Sequence, residues 1–376
     1  MSVIIKEITT NRDLKKFIEF YVKLYKGSPY FVPPLFLDEY ESLRKDKNPA
    51  YEYCDAKFFL AYKDNKIVGR VCALHNKRYN EVWNCKRLRF TRFDFIDDYE
   101  VSAGLMDKVN EYARELRLEE IQGPMGFCDL DKQGMLVEGF NEINMMVTPY
   151  NHEYYIKHME KMGFAKDIDW VEFLLGVPEK LDEKILRVAD IVLKRNKLKI
   201  LEIKKMKEVL PLAKKVFYLI CDAYKDLYGV IPLTDAQIDM YVKQFIVFLT
   251  PDYLSVILTE DDEPVAVGIS MPSIINALRK TNGHLLPFGF IPIYREMRAK
   301  TLDRIELLLV AVKPEYQFKG LNGVIISEVY KAYRRKKVKY AESGPMLETN
   351  DKIQSMWSHF ENRQHKRRRC YLKKVQ

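Results

Sequence analysis

RIELLLVAVKPEYQFKGLNGVIISEVYKAYRRKKVKYAESGPM, residues 304–346, is the stretch on which the fold turns. It opens with nine residues, RIELLLVAV, of which only the first and third are charged; that length and composition predict a long strand. The turn KPEYQFKGLNG (313–323) follows, with a proline and two glycines. LNGVIISEVYKAYRRKK (321–337) then has helical periodicity, and KYAESGPM (339–346) is a short strand stopped at Gly344-Pro345. The order strand, glycine turn, helix, strand carries a chemical implication. Glycine lets a backbone approach a ligand closely, and the free N–H groups at a helix start hold phosphate. Lys319 adds positive charge to that turn.

Outward from this stretch, the same order of elements occurs earlier in the chain. NEYARELRLEEIQGPM (110–125) lies over KAYRRKKVKYAESGPM (331–346) without gaps, at a constant offset of 221. Tyr112 meets Tyr333, and Gly123-Pro124-Met125 meets Gly344-Pro345-Met346. Before the first copy lie a strand at 3–8, a helix at 14–25, a Pro-rich break at 28–35, a hairpin of 57–62 and 66–74, and a strand at 89–95. The second half shows a strand at 198–203, helices near 207–225 and 234–248, a hairpin of 253–258 and 264–271, and the strand 304–312. Each half ends in a helix and a strand, 151–164 with 170–177, and 351–361 with 367–375. A domain-sized repeat reads as a tandem pair. The expected division is a first domain at 1–180, a connecting helix at 181–197 and a second domain at 198–376. The expected fold class is α/β (α+β), with each domain a mixed, largely antiparallel sheet flanked by helices.

Composition agrees with that size. A chain of 376 residues with 47% apolar residues supports two domains with full cores. The longest apolar runs are strand-sized, so no membrane span is expected. The N-terminus shows no secretory signal, and six scattered cysteines form no CxxC pair or zinc spacing. Free thiols in a cytoplasmic protein, with no metal, are expected. The net charge of +9 suggests an anionic partner. Nucleic acid is disfavoured, because no helix-turn-helix, finger or RNP pattern accompanies the basic run KRRRC (366–370). That run reads as a closing strand with an exposed basic face. Peripheral contact with a membrane surface stays open.

The turn resembles the acyl-CoA loop of the GNAT acyltransferase superfamily, written [QR]-x-x-G-x-[GA]. Gln317 and Gly320 fit it, Asn322 departs from it, and Gly323 follows one position late. DDYEVSAGLMDKVNEYARELRLEEIQGPMGF (97–127), LDKQGMLVEGF (130–140) and PYNHEYYIKHMEKMGFAKDIDW (149–170) look like a bacterial family of mostly uncharacterised tandem-GNAT, acyl-CoA N-acyltransferase-like proteins. The resemblance implies acyl-CoA or acetyl-CoA as co-substrate, bound through Gln317, Phe318, Lys319, Gly320, Leu321, Asn322 and Gly323. Backbone near Val310 and Val312 would polarise the thioester carbonyl. The corresponding loop of the first half, FDFIDDYEVSAG (93–104), carries Asp97, Asp98 and Glu100, which would repel a pyrophosphate. Cofactor binding is therefore expected in the second half only.

Glu306 stands eleven residues before Gln317, the spacing of the general base in histone-type acetyltransferases. It is the catalytic candidate, against a structural reading as a strand-edge carboxylate. The usual thiolate acid, a tyrosine, falls near Trp357, which is a poor proton donor; Tyr333 and His359 are weaker stand-ins. Asp129 and Tyr150, in the long connection 126–151, and Phe288 and Phe290, in the apolar excursion HLLPFGFIPIY (284–294), are the candidate substrate contacts. The implied acceptor is a small-molecule or lipid amine. Two other readings stay open: a degenerate GNAT-fold binding or sensor protein without turnover, and an aminoacyl-tRNA-dependent peptide ligase.

Overall fold

Alternating apolar strands and amphipathic helices fold as the periodicities require. The computed structural model describes residues 2–181 and 183–375. Through the first half, the elements are β1 (Ile4–Ile8), α1 (Asn11–Leu24), α2 (Phe36–Ser42), β2 (Cys54–Lys63), β3 (Lys66–Asn76), α3 (Lys77–Val82), β4 (Arg87–Phe95), α4 (Tyr99–Glu115), β5 (Glu120–Gly123), β6 (Met135–Glu138), α5 (Tyr154–Lys161) and β7 (Ala165–Gly176). Then come α6 (Glu183–Arg195), β8 (Leu198–Ile200), α7 (Leu210–Tyr224), α8 (Asp235–Ile246), β9 (Leu254–Thr259), β10 (Pro264–Pro272), α9 (Ile275–Thr281) and α10 (Phe290–Met297). The chain closes with β11 (Arg304–Val312), α11 (Leu321–Arg335), β12 (Tyr340–Ser343), β13 (Met346–Leu347), α12 (Asp351–Gln354) and β14 (Asn362–Lys374).

The chain divides into two units that are not contiguous in sequence. One holds residues 1–171, 275–290 and 365–376; the other holds 172–274 and 291–364. The division differs from a single cut near 181–197 for a physical reason. The last strand finds its partners in the first unit, where Tyr371 to Lys374 of β14 run antiparallel to β5. In the second unit, residues Leu174 to Gly176 of β7 pair with β12. Helix α6 does occupy the expected connecting region, and its Ala189 and Val192 pack with Leu321, Val324 and Ile325 of α11 in the second unit's core.

In the first unit the strand order is β1-β2-β3-β4-β5-β14, antiparallel except for β4 with β5. In the second it is β8-β9-β10-β11-β12-β7, antiparallel except for β11 with β12. In each unit a parallel pair is joined through a crossover helix, α4 or α11, as a parallel connection requires. Helix α4 buries Val101, Leu105, Met106, Val109 and Tyr112 along one stripe against the first sheet. Each such side chain contributes about 1.5–3 kcal/mol.

The basic run 366–370 is a strand, but its expected exposed basic face is not found. Arg368 is fully buried and donates to Asn144 Oδ1 at 2.8 Å and Thr148 Oγ1 at 3.0 Å. Arg369 Nε donates to Asp169 at 2.9 Å. The strand lies inside its sheet, so its cations are neutralised from within.

Candidate functional site

The parallel pair β11–β12 is in register only from Arg304 opposite Tyr340 to Leu307 opposite Ser343. Beyond it β11 runs on to Val312, while Gly344-Pro345 ends β12. Pairing of the two strands stops there, and an apolar cavity of about 70 Å³ lies between the sheet and α11. Its walls include Gly268 and Ser270 of β10, Leu307 and Val310 of β11, and Trp357 beyond α12. Helix α11 supplies Ile325, Ile326, Val329, Tyr330 and Tyr333. These five positions follow the 3.6-residue period, so they form one face.

The other end of the same helix is polar and open. Gly320 is its N-cap, in the left-handed region at φ 85°, with no side chain capping the first turn. The first N–H groups of a helix have no acceptor within the helix. Gly323 donates to Gly320 O at 3.1 Å, and a Cβ placed on Gly323 would meet nothing within 4 Å. Gln317 ties the loop back to its strand, donating to Val312 O at 3.3 Å. Phe318 is 85% exposed, with Lys352 Nζ 4.7 Å from its ring, and Lys319 lies over Tyr316.

The first unit solves the same junction differently. There Asp98 caps α4, accepting from Glu100 N at 3.0 Å, and Lys63 binds Asp98 at 2.7 Å. Asp97 pairs with His158 at 3.0 Å. The place beyond the β4–β5 pairs is filled: Phe95 stacks on Tyr155 at 4.1 Å, and the Tyr155 hydroxyl accepts from Phe95 N at 2.9 Å and bonds Tyr25 at 2.8 Å. A buried charge network occupies the rest. Arg70 binds Asp94 at 2.7 Å, and Arg92 spans Glu39 at 3.0 Å and Asp131 at 2.7 Å. Burial alone would raise the Glu39 pKa, yet Arg92 and Lys132 hold its carboxyl well below the usual range. Burial pushes Asp94 up even beside Arg70. Only about 40 Å³ of cavity remains.

The structure gathers the predicted cofactor loop, residues 317–323, at one helix start in the second unit. Glu306 lies on β11 in that unit, fully buried, accepting from Ser273 Oγ at 2.9 Å. Its neighbour Leu307 lines the cavity, so alternation along the strand turns Glu306 to the opposite face. Val310 and Val312 stay in the ladder opposite Gly268 and Ala266. The residue left out of the ladder is Leu308, at a bulge between the pairs Ile269–Leu309 and Ser270–Leu307. No residue type in the sequence marks that bulge. Trp357 is buried at the cavity wall, and the Tyr333 hydroxyl donates to Ser270 Oγ at 2.8 Å.

The four candidate substrate contacts are not brought to this cavity. Tyr150 is buried in the first unit and donates to Phe140 O at 3.0 Å. Asp129 sits in the same unit, where burial pushes its carboxyl up to about 6. Phe288 and Phe290 are 71% and 51% exposed. The start of their excursion docks within the first unit, where Phe36 N donates to Gly283 O at 2.9 Å and Phe36 stacks on His284 at 4.7 Å.

Two mixed sheets, each with a crossover helix joining its parallel pair of strands, make a tandem GNAT fold. Solved structures agree: the chain superposes over its whole length on a tandem GNAT protein from the clavulanic acid biosynthesis pathway, with TM-score 0.57, 11% identity and 99% of that chain covered. A GCN5-related N-acetyltransferase from Sphaerobacter thermophilus gives TM-score 0.51 and 10% identity, covering all of this chain and 96% of the other. Among curated proteins, Protein YghO of Escherichia coli K12 is 26% identical over 99% of this chain and 95% of its own length. A bacterial ceramide synthase of Caulobacter vibrioides is 25% identical over 82% of this chain and 80% of its own. No family model matches the sequence.

Proposed function

We propose that the second unit is an acyl-CoA-dependent N-acyltransferase acting on an amine, and that its acyl chain or its amine is long and apolar. One observation carries this: α11 begins in an uncapped glycine turn suited to a pyrophosphate and continues as one wall of an apolar cavity. A single helix thus offers a site for the charged end of an acyl-CoA and a site for its apolar end. The relative named a ceramide synthase agrees, ceramide being an N-acylated lipid amine.

In this reading the nitrogen lone pair of the amine attacks the thioester carbonyl carbon and the C–S bond breaks. With the acyl chain in the cavity, the amine approaches from the opposite face of β11, where its ammonium proton passes to Glu306 directly or through water, and the sulfur leaves as CoA thiolate, protonated by solvent. Backbone N–H at the Leu308 bulge takes the carbonyl oxygen. A binding protein without turnover is the second reading. It is favoured by Trp357 standing where an acid is usual and by the buried, engaged hydroxyl of Tyr333.

Competition binding by native mass spectrometry tests the donor. Each buried methylene contributes about 0.8 kcal/mol, so palmitoyl-CoA should outcompete acetyl-CoA by roughly a hundredfold or more. Val329→Trp, which fills the cavity, should remove that preference while acetyl-CoA still binds. Equal binding of both thioesters to the unmodified protein would exclude a long acyl chain from the cavity.

A further inference from the structure

The stretch 284–300 carries large apolar side chains that the proposed reaction does not use. Leu286 is 78% exposed, Phe288 71%, Phe290 51%, Ile291 36% and Tyr294 53%, all within nine consecutive residues. Proline and glycine at 287, 289 and 292 keep this run out of any strand, and its second part is the helix α10, Phe290–Met297. On α10, Phe290 and Tyr294 are one turn apart with Ile291 beside them, so the three share a face. Ile293, at the edge of that face, is the helix residue that is buried.

Charge follows the apolar residues along the same stretch. Within 284–300 the three Lys and Arg residues all come after Tyr294, with one acidic residue, Glu296, among them. Arg295, Arg298 and Lys300 are exposed, and the Arg298 guanidinium lies 4.5 Å from the Tyr294 ring. Aromatic and aliphatic side chains leading, with long cationic side chains behind, is the pattern of a segment that lies in a lipid headgroup layer. The rings reach the acyl boundary, and the arginines extend to phosphate. Among the described residues no helix is long and apolar enough to cross a membrane, so such contact would be at the surface.

We propose that residues 284–300 dock this protein on an anionic bilayer surface. Leu286, Phe288, Phe290 and Tyr294 enter the headgroup layer, and Arg295, Arg298 and Lys300 pair with lipid phosphates. The occupant is an anionic bilayer rather than a second copy of the chain because the stretch and the whole chain, at +9, carry an excess of positive charge, which favours an anionic surface and disfavours a like-charged copy. The proposal does not depend on the acyl-transfer reading.

Co-sedimentation with large unilamellar vesicles tests it, comparing phosphatidylcholine alone with a phosphatidylcholine–phosphatidylglycerol mixture. The unmodified protein should bind the anionic vesicles, and more salt should weaken that binding. Each cation near an anionic surface is worth about fivefold in partitioning, so Arg295→Gln with Arg298→Gln should lower binding by roughly twenty-five-fold. Phe288→Ser with Phe290→Ser should lower it by at least about tenfold. Both pairs lie at exposed positions, and circular dichroism with thermal melting checks that they fold. Failure of the unmodified protein to bind, or equal binding by both double variants, overturns the proposal. So does light scattering that shows an oligomer which Phe288→Ser with Phe290→Ser converts to monomer.

Discussion

Gly323→Glu separates ligand binding from folding at the start of α11. A Cβ at Gly323 would stand in open space, so the new side chain displaces nothing. Replacing glycine inside a helix by glutamate improves helix propensity by about 0.5–1 kcal/mol. A carboxylate in the first turn adds about 0.3–1 kcal/mol through the helix dipole. The variant should therefore melt no lower than the parent, and by a few degrees higher. Its effect on CoA is opposite. A carboxylate about 5 Å from a pyrophosphate carrying about two negative charges is repelled by roughly 1.5–3 kcal/mol, for an effective dielectric of about 40–80. Isothermal titration calorimetry should then show affinity for CoA reduced roughly tenfold to a hundredfold, with Gly323→Ala close to the parent. Gly320 is a less informative position. Its φ of 85° disfavours any side chain, and a Cβ there would lie 3.0 Å from Val192 Cγ2, so substitution would disturb the fold as well. A Gly323→Glu protein that is fully folded and binds CoA as tightly as the parent would refute the placement of the phosphates at this helix.

Glu306→Gln should lower kcat by about 10²–10⁴-fold, the usual contribution of a general base, with CoA affinity unchanged; activity equal to the parent across pH 6–9 would make Glu306 structural. Arg92→Met should destabilise the first unit by about 3–5 kcal/mol, because it leaves Glu39 and Asp131 buried without their shared cation. Urea denaturation measures the loss, and a change below about 1 kcal/mol would show that the network is solvated. Asp129 has its folded pKa raised to about 6 by burial, so the folded state holds the extra proton and stability should fall as pH rises from about 4 to about 6. Asp129→Asn should flatten that slope and raise the melting temperature at pH 7; an unaltered pH profile would contradict the burial of its charge.

The residues that set local geometry were readable, and those that answer to distant partners were not. Residues 304–346 announced strand, turn, helix and strand, because an apolar run, two glycines and a Gly-Pro stop act within a few residues of themselves. The acidic pair Asp97-Asp98 was legible too, and in the structure Asp98 caps α4, a local interaction. The last strand, 367–375, reads as a strand from its sequence, but nothing in it says that it pairs with β5 rather than with its own half. The arginines at 367–369 looked exposed because Asp169 and Asn144, their partners, are some two hundred residues away. The Leu308 bulge depends on register with β10, and short helices α2 and α3 have too few residues to show a period. The prolines and glycine at 287–292 correctly excluded a strand, yet only the structure shows the aromatics between them facing outward.

Product formation tests the central claim most directly. Purified protein is incubated with palmitoyl-CoA or acetyl-CoA and, in turn, a long-chain amine or a small polar amine, with free thiol release and amide mass followed together. The account predicts amide formed fastest from a pair with a long apolar partner, one thiol released per amide, and loss of both signals in Glu306→Gln. Tight binding of acyl-CoA with no amide from any amine, or acetyl-CoA with a small polar amine as the best pair, would contradict it.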